Sequence, residues 1–190
     1  MLAAHLLTLS RIPLALLFWI AVADAQWAIA VMAVAAVTDV VDGAAARRAQ
    51  RLAEARGLRP AAGPGPWLDP LCDKVFVLSV IAATYVRLAP SPYLLATIAI
   101  RELILVPLAA IYRLAPFLRA RMRYDFKAGP LGKAATMAQF LAIAAILLRH
   151  PSQAPLALVA GVVGLAAAID YIRRGVRIAR AQRQRDRSPY

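Results

Sequence analysis

A single cysteine, Cys72, stands in the whole chain, beside only two histidines, His5 and His150. No disulfide can close within the chain, and these three residues do not have the spacing of a zinc site. Acids are also scarce, with 10 Asp and Glu against 23 Lys and Arg, a formal charge of +13. In a soluble protein that balance points to nucleic acid. Here the cations alternate with apolar runs, in a chain that is 62% hydrophobic with a mean hydropathy of +0.63. Soluble domains rarely have that composition, so a membrane protein that keeps its cations beside anionic lipid is expected, and no nucleic-acid partner. There is no Glu-x-x-His pair, which excludes a di-iron helix bundle. There is no internal repeat.

What is present is a series of six apolar segments, at roughly 6–23, 26–46, 68–88, 92–114, 129–148 and 155–176. About 20 helical residues cross a hydrocarbon core of about 30 Å. The sequence therefore predicts an all-α integral membrane protein with six transmembrane helices, forming a single domain over 1–190 with a basic tail at 177–190. Pro90, Pro92, Pro116, Pro151 and Pro155 punctuate the gaps. Cations crowd the connections after segments two and four and the tail, while the other connections hold only Arg87 and Arg149. That asymmetry predicts both termini on the cytoplasmic side of the cell membrane. The first 26 residues also resemble a signal peptide, whose removal would leave five spans.

Six acids lie in or near these segments: Asp39, Asp42, Asp69, Asp73, Glu102 and Asp170. Ionisable groups at membrane depth are costly and mark function. Asp39 and Asp42 are three apart and Asp69 and Asp73 four apart, spacings that share a face on a helix. Four carboxylates on two facing helices repel unless a cation sits among them, and hard oxygen ligands suit Mg²⁺, Mn²⁺ or Ca²⁺. Gly43 removes a side chain where a ligand can approach the backbone. Arg47 lies about 80° around the helix from Asp39 and offers a fork of donors for phosphate. Gly65 precedes Asp69 as a small residue in a loop. Acids, glycine and arginine together suggest metal-assisted chemistry on a phosphate ester, in which two cations about 3.5–4 Å apart stabilise the attacking and leaving oxygens.

Asp39-x-x-Asp42-Gly43-x-x-Ala46-Arg47, followed by Gly65-x-x-x-Asp69-x-x-x-Asp73, resembles the signature of the CDP-alcohol phosphotransferases, membrane enzymes of phospholipid synthesis. The resemblance covers most of the chain. The 17 residues between Arg47 and Gly65 are more than is usual in the family, and read as a helix extension plus a loop insertion over 49–64. The resemblance implies a homodimer of six-helix subunits with the site open to the cytoplasm, and two ions of Mg²⁺ or Mn²⁺ per site. It implies that Asp39, Asp42, Asp69 and Asp73 are the metal ligands and that Asp73 is the general base. It further implies that Asp42, Gly43, Arg47, Gly65 and Asp69 hold the nucleotide of CDP-diacylglycerol, whose phosphatidyl group passes to an acceptor alcohol as CMP leaves.

Three stretches bear on the alcohol. LLTLSRIPLALLF, residues 6–18, resembles the opening of phosphatidylglycerophosphate synthases and CMP-releasing cardiolipin synthases, with Thr8 and Arg11 at the family-like positions. Arg101 beside Glu102 reads either as an ion pair within a span or as a cation facing the acceptor. GPLGKAATMAQF, residues 129–140, matches a stretch of the same enzymes at Gly132, Lys133, Thr136 and Gln139, with Ala135 where a lysine is common. Arg101, Lys133, Thr8 and Arg11 are thus the expected acceptor-binding residues. Glycerol 3-phosphate is the expected acceptor, with phosphatidylglycerol or another alcohol as the alternative. Asp170 reads as a structural ion pair with Arg173 or Arg174. A small cation transporter would also use the four acids, but it leaves Gly43, Ala46, Arg47 and Gly65 unexplained, and arginine is a barrier beside a cation path.

Overall fold

The computed structural model describes residues 11–55, 65–115 and 129–187. At 39–40, 42–47, 49–51, 53–54, 65–73, 113, 181–183 and 185–187 that description is of the backbone. Among the described residues there are seven helices and no strand: α1 Arg11–Ala21, α2 Ala25–Ala55, α3 Gly65–Leu88, α4 Pro92–Ile98, α5 Ile100–Leu114, α6 Pro130–Leu147 and α7 Gln153–Arg187. Each apolar segment thus corresponds to a helix, except that the fourth is divided between α4 and α5. Two helical stretches, Pro130–Leu147 and Gln153–Arg180, are long and apolar enough to cross a membrane, and the bent pair α4–α5 makes a third if it is one span. Arg11–Ala21 and Ala25–Thr38 are shorter apolar helices.

The described helices fall into two compact units, divided between Ala89 and Pro90. In the first unit α1 packs on α2 and on α3. Phe18, Val22, Ala28, Phe76, Val80 and Ala83 form its buried core. The indole N–H of Trp19 donates to Ser79 Oγ at 2.9 Å, tying α1 to α3. Asp24 starts α2 by accepting from the backbone N–H groups of Gln26 and Trp27, which satisfies two of the donors that a helix leaves open at its start. α2 runs on to Ala55, well beyond the apolar segment. The sequence there, AAARRAQRLAEA, is rich in strong helix formers, so the backbone stays helical after hydropathy has fallen.

In the second unit α7 packs against α4, α5 and α6. Small residues allow the close approach: a Cβ on Gly161 would lie 2.7 Å from Thr97 Cγ2 and 3.1 Å from Thr97 O, and one on Gly164 3.4 Å from Arg101 Cβ. Such small-residue seams are the usual means by which helices associate where burial from water supplies no drive. α6 ends with Arg149 in the left-handed region at φ 51°. His150 N–H bonds to Ala145 O and Arg149 N–H to Ile146 O, the pairing that closes a helix through a left-handed residue.

The fourth apolar segment is not one straight helix. α4 and α5 meet at Ala99 with a bend of 61°. Sharp bends occur where a side chain intrudes on the backbone ladder, and at this one the Gln139 side-chain amide donates to Ile98 O at 2.8 Å.

Candidate active site

Asp39 and Asp42 lie on the helical backbone of α2, and Asp69 and Asp73 on that of α3. The three- and four-residue spacings therefore act on real helices, and each pair occupies positions on one face. Gly43 and Arg47 follow on α2, and both pairs lie in sequence toward the same connection, residues 56–64. The side chains of the four aspartates and of Arg47 lie outside the described residues, so the ligation and nucleotide-binding roles remain what the resemblance of the motif implies. Gly65 differs from expectation: it is the first residue of α3 rather than part of a loop. Pro66 follows it in the first turn, where a missing N–H removes no helical bond. Of the extension expected over 49–64, the helical part is present to Ala55, and the loop part lies outside the described residues.

All four donors are hard oxygens, a set that fits Mg²⁺ or Mn²⁺ and not a soft thiophilic ion. Among the described residues, which leave out the four aspartate side chains, no group of three His, Cys, Asp or Glu gathers around a point.

The expected acceptor residues have a different setting. Arg101 and Glu102 form an ion pair in the first turn of α5, with Nη2 2.6 Å and Nε 2.8 Å from Glu102 Oε1. Arg101 Nη1 donates to Gly132 O at 2.6 Å and to Thr136 Oγ1 at 3.0 Å. The Arg101 side chain is 11% exposed and that of Glu102 1%. Glu102 Oε2 accepts from Gln139 Nε2, whose residue is fully buried. The ion-pair reading of Arg101 is thus present in the geometry, and the guanidinium also reaches the turn that carries Lys133.

Lys133 itself is exposed on α6. Its ammonium has no hydrogen bond or ion pair among the described residues. Ala135, where a lysine is common in similar sequences, is fully buried. Arg11 opens α1, and Thr8 lies outside the described residues.

Asp170 pairs with Arg174 at 2.8 Å, one of the two partners expected for it. The contact without a counterpart in the sequence is that of the Arg174 guanidinium with Gly129, the residue before α6. A Cβ there would meet its Nη2 at 3.0 Å and Nη1 at 3.2 Å. Nothing in the local sequence relates two positions this far apart. Gly129 matters because it leaves room for that cation.

Comparison with known proteins adds what geometry alone does not. No curated protein and no solved structure matches the chain. A family match, to CDP-alcohol phosphatidyltransferase, runs over residues 1–170 and so through both units and all four aspartates. The chain belongs to the CDP-alcohol phosphatidyltransferases, enzymes that transfer a substituted phosphate from a CDP-alcohol to an acceptor alcohol.

Proposed function

We propose that this enzyme transfers the phosphatidyl group of CDP-diacylglycerol to glycerol 3-phosphate, giving phosphatidylglycerophosphate and CMP. The observation that carries the proposal is the eight-position pattern from Asp39 to Asp73, lying on two helices within the family match. Members of this family act on a CDP-alcohol and an acceptor alcohol at a membrane and depend on divalent metal in general. We assign Asp39, Asp42, Asp69 and Asp73 as ligands of two Mg²⁺ or Mn²⁺ ions. Bound there, the ions would neutralise phosphate charge that four carboxylates alone would repel.

The remaining steps belong to the chain's own residues. Gly43, Arg47 and Gly65 hold the cytidine diphosphate. Asp73 takes the proton from the acceptor hydroxyl. That oxygen forms a bond to the phosphorus bearing the diacylglycerol, and the bond from this phosphorus to the bridging oxygen breaks, so CMP departs. Lys133 and Arg101, with Thr8 and Arg11, take the acceptor. The exposed ammonium of Lys133 favours an acceptor that carries its own phosphate.

The site belongs at the membrane boundary. At 1.5 Å per residue, Asp42 lies about 26 Å along α2 from Ala25, close to the roughly 30 Å of a hydrocarbon core. A lipid donor arrives from the bilayer and the soluble acceptor from water. Six spans, cytoplasmic termini, a homodimer in the cell membrane and a single catalytic domain complete the proposal. The cation-rich connections support that orientation.

The test is CMP release from CDP-diacylglycerol with Mg²⁺ or Mn²⁺, using glycerol 3-phosphate, phosphatidylglycerol, inositol phosphate, serine or no acceptor. Release with glycerol 3-phosphate, reduced by about 10³-fold or more in Asp73→Asn, is the expected result. Release with phosphatidylglycerol instead would replace the acceptor. Folded protein that releases no CMP with any of them would sink the proposal.

A further inference from the structure

Glu102 and Gln139 are among the few polar residues of the core, 1% and 0% exposed. A carboxylate buried this deeply is costly unless its oxygens are matched. Both are. Oε1 takes Nε and Nη2 of Arg101, and Oε2 takes the amide of Gln139. Gln139 gives its other N–H to Ile98 O, at the break between α4 and α5. Arg101 has five N–H donors. Two go to Glu102, and the two on Nη1 go to Gly132 O and Thr136 Oγ1. Among the described residues, four of the five are therefore assigned.

The result is one continuous run of contacts. It begins at a carbonyl exposed by a bent helix, passes through Gln139 and Glu102 to Arg101, and ends on the first turn of α6. Gly132, whose carbonyl Arg101 holds, immediately precedes Lys133. Satisfying the buried carboxylate accounts for the Gln139 amide, but it does not by itself require that Arg101 reach Gly132 O on α6.

We infer that Glu102 and Gln139 are positioning residues for the acceptor's phosphate. They fix Arg101, which keeps one N–H unassigned among the described residues, and through Gly132 O they fix the turn that presents Lys133. The inference rests on the reading of Lys133 and Arg101 as acceptor-binding residues. Neither Glu102 nor Gln139 touches substrate.

The experiment is steady-state CMP release by the full chain in detergent–lipid micelles, varying glycerol 3-phosphate and CDP-diacylglycerol separately, for Glu102→Gln, Gln139→Leu, Thr136→Val and Lys133→Ala. Folded fraction and melting temperature are measured alongside. For Glu102→Gln we expect the KM for glycerol 3-phosphate to rise roughly tenfold, with the KM for CDP-diacylglycerol within about twofold. Gln139→Leu follows in the same direction, and Thr136→Val gives a rise of about two- to threefold. If these variants lower kcat or melting temperature but leave the acceptor KM unchanged, the network is only structural and the inference is overturned. Should the buried variants fail to fold, Thr136→Val decides alone: an unchanged acceptor KM overturns the inference. Lys133→Ala separates the two levels. If it leaves the acceptor KM unaltered, the acceptor reading itself fails. If it raises that KM while Glu102→Gln, Gln139→Leu and Thr136→Val do not, only the positioning role fails.

Discussion

The two units differ in how their acids are spaced along the chain. In the first, acids recur with acids: Asp39 with Asp42 on α2, Asp69 with Asp73 on α3. In the second, each acid of the apolar segments has its own cation, Glu102 with Arg101 and Asp170 with Arg174. The contrast separates two uses of a carboxylate in an apolar chain. Acids spaced on one helix face repel, which is the ground for proposing that Asp39, Asp42, Asp69 and Asp73 bind cations. Opposite-charge pairs carry their own counter-ion, and Arg101 of the buried pair also holds the Gly132 carbonyl.

That distinction can be broken by experiment. The largest effect should come from removing metal. Chelation should abolish CMP release, and Mg²⁺ or Mn²⁺ should restore it, with Asp42→Asn shifting the restoring concentration upward by about tenfold or more. Undiminished turnover under chelation would mean that the like-charge pairs are not a cation site.

Next comes the balanced network. Arg101→Ala leaves Glu102 buried without its cation, which typically costs about 3–5 kcal/mol. It should lower the melting temperature far more than Arg101→Met combined with Glu102→Leu, which removes both charges together. Equal losses would show that the pair is not coupled.

The smallest effect tests packing alone. Gly161→Ala places a methyl 2.7 Å from Thr97 Cγ2 and should destabilise by about 1–3 kcal/mol. Thr97→Ser deletes that methyl while keeping a hydroxyl for the bond to Tyr93 O, and should restore part of the loss. No recovery would place the strain on the Thr97 carbonyl instead.

The helices were largely legible in the sequence, because apolar runs of span length leave the backbone no cheaper arrangement than a helix. Their ends were less so. Hydropathy marks where lipid stops, and α2 and α7 continue as helices through AAARRAQRLAEA and RRGVRIARAQRQRDR. The bend at Ala99 was not legible at all. No glycine or proline stands in ATIAIRE, and the side chain that meets Ile98 O comes from α6. Among the proposed site residues, the aspartates stand out in the sequence because their spacing is local to a helix. The attachment of Arg101 to Gly132 and the contact of Arg174 with Gly129 depend on packing between distant segments, which no local pattern encodes. Gln139 lay in a recognisable stretch, but its bond to Glu102 did not.

The Gln139–Glu102 bond also bears on how the chain is made. Its two residues are 37 apart in sequence. Chains elongate at about 5–20 residues per second, so Arg101 and Glu102 exist for roughly two to seven seconds before Gln139 is added. If α4–α5 is a span, a charged pair without Gln139 then sits in the segment proposed to enter the bilayer, where a single Arg or Asp at a helix centre disfavours insertion by about 2.5–3.5 kcal/mol. The α4–α5 segment is thus poorly suited to enter lipid by itself, and its entry is expected to wait for α6. Chains arrested before and after Gln139, assayed for insertion of this segment, would show whether biosynthesis follows that order.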